Sequence, residues 1–248
     1  MKFESRNPFL KSKSFEQRSE AVIDYNDTMT LSGTMNKSLI MLLLLVAGSL
    51  VTWWMTFAGM NPMFPTIGGA IVGFILVLVS AFRPHLSPYL APGYAIFEGF
   101  FIGGISAIFE VMYPGIVTQA VGATFVTFVV CFLLFKYQIV KVNQQFRAVV
   151  LAATLAIFSY YLISWLVSLF TDFTPVHHGN SMMSIGISVF VIIVAALNLF
   201  LDFDFIEQGV AQQHPKYMEW FGAMGLMVTL VWLYVEFLRL FSKLASRD

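Results

Sequence analysis

Seven runs of roughly 20 apolar residues, each closed off by proline, glycine or charge, limit what this chain can become. They cover residues 39–59, 63–82, 89–109, 116–135, 148–170, 183–201 and 218–238. A bilayer core takes about 20 such residues per helix. No water is present there to hydrogen-bond the backbone, and helices satisfy it internally. The runs lack period-two alternation, which argues against a barrel. Pro62, Pro65, Pro84, Pro88, Pro114, Pro175 and Pro215 fall at or beside the breaks, where a missing N–H costs little. Most connections are short, so neighbouring helices are expected to run antiparallel. The first run starts too far into the chain for a cleavable signal peptide and is as long as a span.

Composition agrees. The chain is 58% hydrophobic and 11% charged, against about 25% charged residues in soluble domains. The formal net charge is zero, so bulk charge names no partner. The expected class is an all-α integral membrane protein with seven spans. Residues 37–248 form the transmembrane domain, and the polar residues 1–36 form a flexible N-terminal tail.

Lysine and arginine set the expected orientation. Lys2, Arg6, Lys11, Lys13, Arg18 and Lys37 precede the first span. Arg83 lies in the second loop, Lys136, Lys141 and Arg147 in the fourth, and Lys216 in the sixth. The first, third and fifth loops hold none. The N-terminus is therefore expected in the cytoplasm. Seven spans then put the C-terminal tail outside, against the bias, because it carries Arg239, Lys243 and Arg247.

Several function classes find no support. There is no H-E-x-x-H or G-x-G-D and no nucleophile with an evident base, so no enzyme is expected. No phosphate-binding glycine motif or nucleic-acid signature occurs, and no cofactor is implied. The single cysteine, Cys131, reads as a buried apolar thiol. His177 and His178 are adjacent and have no third ligand, which reads as loop polarity rather than a metal site.

Ionisable groups inside spans are costly, by about 2.5–3.5 kcal/mol each on insertion scales, and so mark candidate sites. Glu98 lies mid-span in Y-A-I-F-E-G-F-F-I-G-G, beside a Gly99-x-x-x-Gly103 step that lets another helix approach. It reads either as a proton or cation ligand or as a protonated acid hydrogen-bonded across a helix contact. The stretch L-N-L-F-L-D-F-D-F-I-E-Q-G places Asp202, Asp204 and Glu207 among apolar residues. No breaker precedes Gly209, so the helix is expected to continue to about Ala211 and turn through Gln212–Pro215. Asp202 then lies inside the bundle. Asp204 and Glu207 form a mouth that gathers cations.

Glu236 stands in W-L-Y-V-E-F-L-R-L-F of the last span. Asp202 and Glu236 are 34 residues apart with a midpoint at 219. A hairpin turning near 213–218 would bring both to a similar depth, where two carboxylates cannot both ionise cheaply and share a proton. Such a pair makes a pH switch or a weak site for Ca²⁺. The competing reading pairs Glu236 with Arg239 or Lys243 on its own helix.

F-L-D-F-D-F-I-E and L-Y-V-E-F-L-R-L-F, with E-G-F-F-I-G-G-I-S before them, resemble the Bax inhibitor-1 (YccA-like) membrane proteins. The resemblance runs over roughly residues 35–245. It implies six helices wrapped around a central seventh, and a pH-sensitive cation leak, chiefly of calcium, in a bacterial inner (plasma) membrane. The implied gate is a carboxylate pair, which falls on Asp202 and Glu236. The chain departs from the family pattern in carrying Glu at the second position and a longer hairpin. Its second span also has no basic latch, for which Arg83 and Arg239 are the nearest candidates. Bacterial relatives modulate a membrane-bound quality-control protease. The alternative implied is therefore a non-conducting regulator that binds another membrane protein, with the N-terminal tail as its handle.

Overall fold

The computed structural model describes residues 28–171, 179 and 181–247. Most of the expected tail, and the His177–His178 pair, lie outside the described residues. Among the described residues there are seven long helices and no strand. They are α1 (Leu31–Phe57), α2 (Met63–Phe82), α3 (Ser87–Met112), α4 (Ile116–Lys136), α5 (Gln144–Phe170), α6 (Met182–Ala211) and α7 (Met218–Ala245), with a 3-10 turn at Pro84–Leu86. All seven are long and apolar enough to cross a membrane.

The helix boundaries follow local chemistry. The Thr30 side chain caps α1 by accepting from Gly33 N–H at 3.0 Å. This starts the helix eight residues before the apolar run, so residues 31–36 of the expected tail are helical. Hydropathy marks where a helix meets lipid, whereas a cap marks where it begins. Asn143 caps α5 and Ser181 caps α6 in the same way. At the start of α4, the Glu110 carboxylate accepts from Gly115 N–H at 2.7 Å and Val117 N–H at 3.1 Å. An anion there complements the helix dipole. α6 runs on to Ala211 and turns through Gln213, whose φ of 53° is left-handed.

α7 is central. In its most apolar stretch 61% of the residues are buried, against 17–39% in the other six helices. α1, α3, α4 and α6 pack directly on it, while α2 packs mainly on α3 and α5 on α6. Without a hydrophobic drive between helices in lipid, close packing carries this association. The Gly99–Gly103 step meets Gly48 and Ser49 of α1. A Cβ on Gly99 would stand 3.0 Å from Gly48 Cα, so only glycine permits that approach. One cluster joins α1, α3 and α7 through Met41, Leu45, Tyr94 and Met227. A second joins α4, α6 and α7 through Leu199, Phe203, Leu226 and Leu233, and holds the buried thiol of Cys131.

Candidate functional site

Most of the charged groups the sequence singles out stand on α6 and α7. Their geometry starts from Phe203. This ring packs against Phe128, Phe132 and Phe135 of α4, with centroids 5.7, 5.7 and 5.6 Å away. The contact fixes the rotation of α6 about its axis. At 3.6 residues per turn, the flanking residues then point to different neighbours.

Asp202 points at α7. The Thr229 hydroxyl stands beside its carboxyl group and donates to Gly225 O at 3.3 Å. Its Oδ1 lies 3.7 Å from where a Cβ on Gly225 would stand. Its Oδ2 is buried, with no hydrogen-bond partner among the described residues.

Asp204 points the other way, to α5, where it forms an ion pair with Arg147 and accepts from the Gln208 amide at 3.0 Å. It therefore ties two helices together rather than standing as an open mouth carboxylate. Glu207 is exposed at the rim of a cleft between α1 and α4.

Glu236 lies in the other half of α7 and is 1% exposed. Its Oε1 accepts from Arg239 at 3.0 Å and from the Tyr161 hydroxyl of α5 at 3.4 Å. The Arg239 guanidinium also lies 5.6 Å over the Tyr161 ring. The second oxygen, Oε2, is buried without a hydrogen-bond partner among the described residues. Two turns on, the Lys243 ammonium donates to Ser184 O at 3.2 Å and Ser188 Oγ at 2.7 Å on α6.

The helical register does not bring Asp202 and Glu236 together. Asp202 meets α7 at Gly225 and Thr229. Glu236 lies seven residues beyond Thr229, about 10 Å along the axis. The turn occupies residues 212–217 and sets Ile206 against Gly222, so the hairpin is centred before residue 219. The two acids therefore neither share a proton directly nor converge on one cation. Among the described residues, no three His, Cys, Asp or Glu side chains form a group that could hold a metal ion.

The remaining candidates divide. Glu98 is half-buried at the seam between α2 and α3, with Oε2 2.8 Å from a Cβ position on Gly73. It belongs to a different helix contact from the two acids on α6 and α7. Arg83 is exposed at the end of α2 and forms no ion pair with either acid among the described residues. Arg239 is the basic partner of Glu236, as the same-helix reading expected. Arg239 and Lys243 are thus engaged by bundle groups, which reduces the conflict with the positive-inside bias.

Sequence reading missed one charged cluster. Glu219, at 0% exposure, accepts from the Thr30 N–H and hydroxyl, both at 2.8 Å. It also pairs with Lys37 of α1. Met29 N–H donates to His214 O at 2.7 Å and Thr28 pairs antiparallel with Pro215. The segment before α1 is thereby strapped to the α6–α7 turn. The available signal was Lys37, a lysine nearly two helical turns into α1 and just before the first apolar run. Its partner could not be named without knowing that α1 lies beside α7.

No match is found among curated proteins. The Bax inhibitor 1 like family matches residues 7–246, nearly the whole chain, and with seven long apolar helices, the last of them the most buried, this multi-pass membrane protein belongs to that family.

Proposed function

We propose that the protein is a non-enzymatic, pH-sensitive cation leak, with calcium as the ion to test. Asp202 and Glu236 act as successive stations along the central helix. The observation that carries this reading is the pair of buried carboxylate oxygens, Asp202 Oδ2 and Glu236 Oε2, with no hydrogen-bond partner among the described residues. An unpartnered carboxylate oxygen at membrane depth is costly. A proton or a passing cation relieves that cost, and the two compete for it. Their separation along α7 makes this a relay of two sites rather than one shared pair. The positive-inside pattern supports a cytoplasmic N-terminus in a plasma-type membrane. Asp202 is then nearer the cytoplasmic mouth and Glu236 nearer the outside.

Calcium entry into liposomes holding the purified protein tests the proposal, stepped from pH 8 to pH 6. Wild type is expected to show entry that changes with pH. Asp202→Asn and Glu236→Gln are each expected to blunt that change. Entry equal to empty liposomes at every pH contradicts it.

A further inference from the structure

A lateral cleft of about 920 Å³ opens where α1 begins and α4 ends. α1 packs on α3 and α7, and α4 packs on α6 and α7, which leaves a gap between the two. Met35, Phe128, Phe132 and Phe135 wall it, and Leu226 of α7 forms its floor. These residues belong to helices long and apolar enough to cross the membrane, so the apolar part of the cleft faces lipid.

The rim is different. Lys136 ends α4 and Lys141 stands in the following loop, and both line the cleft and are exposed. Neither forms an ion pair among the described residues. Asp204 is already paired with Arg147, which leaves Glu207 as the one unpaired acid of the lining. Two ammonium groups against one carboxylate make the rim cationic. Apolar walls at membrane depth below a cationic rim match an acyl chain below an anionic headgroup, and basic pockets between membrane helices hold such lipids. The volume lies within the range of small-molecule sites, about 300–1,000 Å³.

We propose that this cleft binds an anionic glycerophospholipid of the surrounding bilayer, with one acyl chain between α1 and α4 and its phosphate at Lys136 and Lys141. The site does not depend on ion conduction.

Native mass spectrometry of the full-length protein, stripped of lipid in detergent and titrated with phosphatidylglycerol or phosphatidylcholine, tests it. The expected result is one phosphatidylglycerol held at least about fivefold more tightly than phosphatidylcholine. Lys136→Gln combined with Lys141→Gln is expected to cut that preference below about twofold. The unfolding temperature should hold, since both side chains are exposed. Ser38→Phe, which fills the wall, is expected to weaken both lipids. Equal binding of the two lipids overturns the proposal, as does a preference that survives loss of both lysines. Phe132→p-benzoylphenylalanine in vesicles identifies the occupant: a lipid adduct is expected, and an adduct to this chain's own N-terminal residues or to a second protein contradicts the assignment.

Discussion

At the hairpin end of α6 and α7 the ion pairs run between helices; at the far end Glu236 draws its cation from its own helix. Glu219 binds Lys37 of α1, and Asp204 binds Arg147 of α5. Arg239 reaches Glu236 from three residues away on α7 and stays 45% exposed. Breaking a cross-helix pair strands a charge and loosens two elements. Breaking the local pair leaves Glu236 with the Tyr161 hydroxyl as its donor and removes no salt bridge between helices. The hairpin end is thus braced by salt bridges between helices, while at the far end the salt bridge stays within α7 and only Tyr161 reaches it from α5. The leak proposed above would use this contrast, with a fixed frame around Asp202 and a local ion pair at Glu236.

Four substitutions sharpen this contrast. The largest effect is expected from Lys37→Met, which leaves Glu219 buried and uncompensated. Losing one partner of a buried pair costs about 3–5 kcal/mol, read as a large fall in unfolding temperature in detergent. Adding Glu219→Gln is expected to recover more than half of that loss, because glutamine keeps an acceptor for Thr30. Phe203→Ala follows, at about 3 kcal/mol, the low end for a buried Phe because Phe203 lines the cleft, since it empties the aromatic site that orients α6. Its calcium entry is expected to fall with its stability, because Asp202 loses its aim at α7. Arg239→Gln should cost less than Lys37→Met, because the Tyr161 hydroxyl still donates to Glu236 and no salt bridge between helices is lost, while changing the pH response of entry. If Lys37→Met and Arg239→Gln prove equally destabilising, the two ends are not built differently.

Much of the frame was legible in the sequence. The runs 63–82, 116–135 and 148–170 locate α2, α4 and α5 to within a few residues, because lipid demands an unbroken apolar length. The continuation of α6 through Phe203, Phe205 and Ile206 to Ala211 was legible too, from the absence of any breaker before Gly209. The depth of Glu236 was not. Centring the hairpin at 219 rather than inside 212–217 shifts the register by several residues, and each residue is about 1.5 Å along the axis. Gln213, whose left-handed φ sets that turn, is not a residue type that announces it. The Lys37–Glu219 pair was hidden for another reason: it rests on which helices are neighbours, and apolar runs of similar length do not say. Disulfide trapping in a Cys131→Ser background checks the register. Asp202→Cys with Gly225→Cys is expected to cross-link on oxidation, and Asp202→Cys with Glu236→Cys is not, because a bridge needs Cβ atoms about 4 Å apart.

The most direct test of two separate stations is a double-variant cycle on calcium entry into liposomes, using Asp202→Asn, Glu236→Gln and both together. Groups that do not touch act independently, so the fold-losses of the single variants are expected to multiply in the double variant, within about twofold. A double variant no worse than the stronger single one would mean that Asp202 and Glu236 work as one proton-sharing unit, and would contradict the account.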